Sequence, residues 1–460
     1  MPIIIPANSA ASGGYEVANS LRLNTASSDY LTRAASAFGT STNKKKCTIS
    51  FWIKRSTIAV QQAVMGVETT PAGGANEARI VLKSDDTLEF YDYQSGYKFR
   101  YITTRTFRDP SAWYHVVLAV DTTHPTGSAR VNIYINGVQE TSFSTSTDPA
   151  QNLDTFLNSG NYVQIGRQST GNSYLGGYLT EYAFIDGSTL AQTDFGEFDE
   201  DSAIWKPKAV SGLAFGTNGF YLDFEDSSAL GNDAAGSNNF SLNNLTALDQ
   251  STDTCTNNFA TMNALAKSLS NVVLSNGNLI CRNDDGANGN VLGTIALVNG
   301  KYYWETYKYG GGNTGLGVTL ASVDGSNHTA IHASRVQYYQ DGYIYQNGFG
   351  LSDINTGVTY GDTDIIGVSV DSVNGTIKFY KNGSLVNNSS QTNSAFTYAQ
   401  NELIPFWFFS NGGEWRTNFG SPPFAISSGN ADANDFGNFE YAVPSGYFAL
   451  CTKNVSEANS

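Results

Sequence analysis

The chain has 460 residues, room for two or three domains at the ~100–200 residues usual for one. Charged residues reach only 15% and aromatics 13%, with 46 glycines, which argues against a helical protein and suits many short strands joined by tight turns. The net charge is −15, with 17 basic and 20 acidic side chains in residues 1–210 but 9 and 21 in 211–460, so no basic stripe for nucleic acid or anionic lipid is present.

The opening MPIIIPANSA lacks the basic and long apolar stretches of a secretory signal. No run approaches the ~20 apolar residues of a membrane span. Residues 1–14 read as an extended arm in which Ile3, Ile4 and Ile5 are flanked by Pro2 and Pro6. Left in water these isoleucines gain nothing, whereas burying each against another chain would contribute ~1.5–3 kcal/mol. The arm is therefore expected to dock on a partner, the alternative being an edge strand on its own domain.

Strand signals fill residues 15–198. TISFWIKR (48–55), WYHVVLAVD (113–121) and YLTEYAFID (178–186) are rich in β-branched and aromatic residues. In RVNIYING (130–137), Val131, Ile133 and Ile135 share one face and Asn136-Gly137 signals a type I′ hairpin turn. TLAQTDFGEF (189–198) is the best helix candidate. Residues 199–265 are crowded with Gly, Asn and Ser and read as a connector holding two or three strands, FYLDF (220–224) among them. A second strand-rich block spans 266–424, with KYYWETYKY (301–309), DIIGVSVD (364–371), GTIKFYKNG (375–383) and LIPFWFF (403–409). The tail, 425–460, holds PSGYFAL (444–450) and is then expected to fray. The expected fold is all-β: two antiparallel β-sandwich (jelly-roll) domains joined by the connector.

Chemistry-bearing residues are sparse. Cys47, Cys255, Cys281 and Cys451 form no CxxC pair and read as free thiols. His115 lies within a strand and reads as a core-edge histidine bonded to its neighbours; His328 and His332 sit at i,i+4 without the Glu of a zinc-hydrolase motif. RNDDGANGN (282–290) misses the EF-hand spacing, SDD (84–86) reads as a hairpin turn and Gly310 to Gly312 as a flexible turn, so no metal or cofactor is expected. Glu181 and Asp186 stand at an odd offset that places them on opposite faces of a regular strand, and Asp223 and Glu225 share a face at a strand end. Neither makes the paired carboxylates of a glycosidase. Candidate recognition residues are Tyr338, Tyr339, Tyr343 and Tyr345 around Asp341-Gly342, and Trp415 beside a Gly-rich turn. Such rings suit sugar stacking or protein contact, against the simpler alternative that they alternate into a core.

SLRLNTASSDYLTR, TISFWIKR, DPSAWYHVVLAVD, RVNIYINGVQ and GGYLTEYAFIDG resemble the concanavalin A-like, laminin-G-like jelly rolls. GKYYWETYKY, GLGV, DIIGVSVD, GTIKFYKNG and the closing NFG resemble a SPRY domain. In this order the pairing, with the intervening GFYLDFEDSSALGNDAAGSNNF, is similar to a family of structural proteins from tailed bacteriophages, notably marine ones. The resemblance implies a non-enzymatic virion component: a fibre, spike or head-decoration protein, made in the host cytoplasm. It would bind a host-surface glycan or receptor, or other virion proteins, through its loops. A homotrimer is expected, without nucleic acid or membrane insertion. The alternatives are a tail polysaccharide depolymerase and a purely structural capsid cement protein.

Overall fold

Alternating side chains divide the strands between a buried and an outer face. In the computed structural model, which describes residues 14–72, 74–168, 173–268 and 271–457, strand Lys46–Arg55 sends Cys47, Ile49, Phe51 and Ile53 inward. Strand Trp113–Asp121 adds Val116, Leu118 and Val120, and strand Val131–Ile135 adds Val131, Ile133 and Ile135. These strands lie in a sheet ordered Val138–Gln139, Val131–Ile135, Trp113–Asp121, Lys46–Arg55, Gly177–Asp186, Ser20–Leu23, Gln250–Ser251, with Phe220–Leu222 also paired to Gly177–Asp186. A second sheet runs Phe143–Thr147, Tyr97–Thr106, Thr87–Gln94, Asn76–Leu82, Gln62–Glu68, Tyr162–Ile165, Tyr30–Arg33, Ser241–Asn243. Its Ile80, Phe90 and Phe99 join the same core. The hairpin after Ile135 turns on Asn136 at φ 49° and Gly137 at φ 77°, the two positive angles a type I′ turn requires.

Residues 199–256 are part of this first unit, which ends at Thr256. Phe220, Leu222, Phe224, Leu230 and Phe240 all enter its core. Strands Ser241–Asn243 and Gln250–Ser251 each extend a sheet. Asp253 pairs with buried Lys54 at 2.7 Å and accepts from Trp113 Nε1 at 3.1 Å. The stretch that looked like a helix at 189–198 makes only a 3-10 turn, Gln192–Asp194, before strand Gly196–Phe198 pairs with Trp205–Pro207. Gly196 lies against the Trp205 indole, where a Cβ would fall 2.5 Å from the ring.

The second unit repeats the plan. One sheet is ordered Met262–Lys267, Gly289–Gly293, Leu403–Ser410, Asn313–Leu320, Arg335–Tyr339, Tyr343–Asn347, Ile354–Asn355. The other runs Val272–Ser275, Ile280–Asn283, Gly413–Asn418, Lys301–Tyr309, Ile365–Asp371, Thr376–Lys381, Ser384–Leu385. Trp304, Val368, Phe379, Trp407 and Trp415 fill the core. The tail is packed rather than frayed: Phe448–Ala449 adds to Lys301–Tyr309 in a short parallel pairing, and helix Thr452–Glu457 buries Val455 in the same core. Strand accounts for 43% of the chain and helix for 6%, so the chain is two antiparallel β-sandwiches, as expected. All four cysteines are buried free thiols. Among the described residues no helix is long and apolar enough to cross a membrane. Ile3, Ile4 and Ile5 lie outside the described residues.

Candidate functional site

The pleat decides which of the candidate aromatics can meet a ligand. Strands Arg335–Tyr339 and Tyr343–Asn347 form a hairpin in which Val336 pairs with Gln346 and Tyr338 with Ile344. Val336, Tyr338 and Ile344 point into the core. Tyr338 is fully buried, and its hydroxyl donates to the Val358 carbonyl at 2.5 Å. Trp415 is fully buried as well, in a strand flanked by Ile280–Asn283 and Lys301–Tyr309. These two candidates are therefore core residues. Their strand phase puts them inside, and a Gly-rich turn beside Trp415 does not change it.

The other three come together on the outer face. Tyr343 is exposed, and Tyr339 and Tyr345 are half-buried. The Tyr343 and Tyr345 rings stack with centroids 6.0 Å apart at 26°, and Tyr339 meets Tyr345 edge-on at 5.9 Å. Arg335, which sequence reasoning missed, lies with its guanidinium 5.2 Å from the Tyr345 ring centroid. The Tyr345 hydroxyl donates to Asp341 at 3.0 Å; burial, then this carboxylate, push its pKa up to about 12. Asn355 Nδ2 donates to the Tyr343 hydroxyl at 3.1 Å. The result is a row of amphipathic rings edged by a carboxylate and an amide, with the buried Arg335 guanidinium packed against Tyr345. Such a surface can stack on a pyranose or an aromatic side chain and hydrogen-bond its rim. Behind it, the His328 and His332 rings lie 3.9 Å apart, tilted at 45°, beside Phe408. Burial, followed by Arg335 and His328, lowers the His332 pKa to about 3. Among the described residues no group of three or more His, Cys, Asp or Glu is placed to hold a metal ion.

The first unit contains a second feature, centred on Glu181. Strand Gly177–Asp186 slips register between Thr180 and Ala183 against Lys46–Arg55, and Glu181 sits in this bulge at φ 52°. A bulge re-aims a side chain, and positive φ on a non-glycine residue is strained. Glu181 is 6% exposed. It accepts from the Tyr221 hydroxyl at 2.7 Å and the Tyr15 hydroxyl at 3.4 Å, and those two oxygens are 3.2 Å apart. Burial raises its pKa to about 7, partly offset by the two hydroxyls. Tyr15, Tyr221 and Asp223 line an adjoining cavity of about 420 Å3, walled by Val210, Leu213 and Phe215. Asp186, by contrast, accepts from Ser41, Thr42, Asn158 and Asn218 at 2.8 to 3.1 Å, which ties loops together. His115 is a buried neutral core histidine: Trp205 Nε1 donates to its Nδ1 at 2.9 Å, leaving Nε2 to donate to Ser50 at 2.8 Å.

Residues 25–193 match the family model described as the concanavalin A-like lectin/glucanases superfamily, and residues 301–422 match that of the SPRY domain. The chain carries a concanavalin A-like domain followed by a SPRY domain. The tyrosine row lies inside the SPRY match. Glu181 lies inside the concanavalin A-like match, whereas Tyr15, Tyr221 and Asp223 lie outside it. Among solved structures, the SPRY domain of human HERC1 is 21% identical, covering 34% of this chain and 96% of that one, with a TM-score of 0.27. A putative carbohydrate binding protein from Bacteroides ovatus is 18% identical, covering 50% of this chain and 59% of that one, with a TM-score of 0.35. A heptameric SAP-like pentraxin from Limulus polyphemus is 16% identical, covering 39% and 80%, with a TM-score of 0.28. No curated protein matches the chain in sequence.

Proposed function

We propose that the chain is a non-enzymatic virion structural protein of a tailed bacteriophage, a fibre, spike or head-decoration component. In this reading the outer face of its SPRY domain recognises a host-surface glycan or another virion protein. The recognition reading is carried by the Tyr339, Tyr343 and Tyr345 row beside Arg335, with rings offered outward from a rigid hairpin. The virion reading is supported by the order in which the two domains and the intervening segment occur. Assembly as a homotrimer, synthesis in the host cytoplasm and docking through Ile3, Ile4 and Ile5 belong to the same proposal.

The depolymerase alternative is disfavoured by geometry. A glycosidase acid must reach the glycosidic oxygen. Glu181 is nearly closed off behind two tyrosine hydroxyls, and Asp186 is occupied by four donors.

Antibody labelling of purified particles tests the proposal, together with deletion of residues 1–10. The label is expected on the particle surface. The truncated chain is expected to melt as the full chain does but to be missing from particles. Unlabelled particles, or normal assembly without the arm, would overturn it.

A further inference from the structure

The cavity beside Glu181 plays no part in the tyrosine face, and the Tyr15, Tyr221 and Asp223 that line it fall outside the matched span of the concanavalin A-like domain. Its composition is specific. The walls are apolar, from Val210, Leu213 and Phe215, and two tyrosine rings complete them. The polar end gathers negative charge: Asp223 lines the cavity, Glu181 stands behind the tyrosine hydroxyls, and the exposed Glu225 is near enough for its charge to act on Glu181. None of the described lining residues is basic, and among the described residues Glu181, Asp223 and Glu225 have no ion-pair partner. Carboxylates without an ion-pair partner beside apolar walls attract a cation more strongly than they would in open water. Aromatic faces add to that attraction.

We propose that this cavity binds an alkylammonium group, a charged amine on an apolar stem, such as the end of a lysine side chain. The stem packs on Val210, Leu213 and Phe215. The ammonium meets the ring faces of Tyr15 and Tyr221 and the carboxylate of Asp223, with Glu181 supplying charge from beneath. The bulge that holds Glu181 at positive φ serves to point its carboxylate to this end of the cavity. The charge of Glu181 depends on pH. The groups facing it are Tyr15, Tyr221, Asp223 and Glu225, with Cys255 close enough to feel its charge. Because burial holds Glu181 near pH 7, occupancy should strengthen as pH rises from 6 to 8.

Calorimetry on the full chain tests this with three probes: butylammonium, Nα-acetyl-lysine methylamide and its uncharged isostere Nα-acetyl-norleucine methylamide. Both amines are expected to bind, at least tenfold more tightly than the norleucine compound. A clear advantage of the lysine derivative over butylammonium would identify a protein lysine as the source, and equal affinities a free amine. Glu181→Gln should weaken amine binding about tenfold and flatten its pH dependence. Asp223→Asn, at a half-exposed position, provides a variant that folds if Glu181→Gln does not, and should also weaken it about tenfold. Equal binding of amine and isostere, no binding of either amine, or full affinity in Asp223→Asn would each overturn the proposal.

Discussion

Buried charge sets the energetics at the scale of single residues. Lys54 and Asp253 are 1% and 2% exposed and pair at 2.7 Å. Asp253→Ala should destabilise the first unit by ~3–5 kcal/mol, read from the denaturant midpoint, because the buried Lys54 ammonium loses its carboxylate. Glu305 is fully buried and accepts from the backbone of Glu440 and Tyr441 at 2.9 Å; burial raises its pKa from 4.5 to about 7. A raised carboxyl pKa means the folded state holds the proton more tightly. Its stabilisation is complete below pH 4.5 and is lost as pH rises through 7. Relative to Glu305→Gln, the native chain should therefore lose on the order of 3 kcal/mol between pH 5 and 8. His115 works on the other limb, since burial lowers its pKa from 6.5 to about 3. Its contribution is present above pH 6.5 and is lost as pH falls toward 3. A stability profile that is flat across pH 5 to 8 in both native and Glu305→Gln chains would contradict this reading. The Glu181 constellation was not legible in the sequence: Tyr15 stands 166 residues away and the bulge has no local signature. For Tyr338 and Tyr339, adjacent identical residues meet opposite fates through strand phase alone.

At the scale of elements, the strands with strict alternation or continuous apolar runs were readable within a residue or two, and so was the Asn136-Gly137 turn. Asn382 and Gly383 take φ of 49° and 77°, as Asn136 and Gly137 do. The single turn at Gln192–Asp194 was not readable as such, since a helical signal over ten residues gives way once Phe195 is buried and Gly196 is pressed on Trp205. Glycine positions allow a comparison. Gly137 and Gly446 share φ near 77° and 76°, but a Cβ at Gly137 would lie 2.2 Å from the Trp205 ring, whereas Gly446 has nothing within 4 Å. Gly446→Ala should cost about 1 kcal/mol from backbone strain alone. Gly137→Ala should cost about 2 kcal/mol more because the indole must move. Equal midpoint shifts for the two variants would show that the Trp205 contact does not constrain the hairpin.

At the scale of the whole molecule, the two sandwiches were legible but their boundary was not. The Gly, Asn and Ser of residues 199–256 hide apolar positions spaced between turns, and these complete the first unit. Residues 14–256 should therefore fold cooperatively when expressed alone. Residues 14–198 should not, having lost Phe220, Leu222, Phe240 and Asp253. The proposed role rests on the outward tyrosine row, and one measurement addresses it most directly. Calorimetric titration of the full chain with surface polysaccharide from the bacterium its particle infects should show saturable binding without shortening of the polymer. Replacing both Tyr343 and Tyr345 with Ala should weaken that binding roughly tenfold or more, at an unchanged melting temperature. Undiminished affinity in the double variant, or cleavage of the polysaccharide by the native chain, would contradict the account.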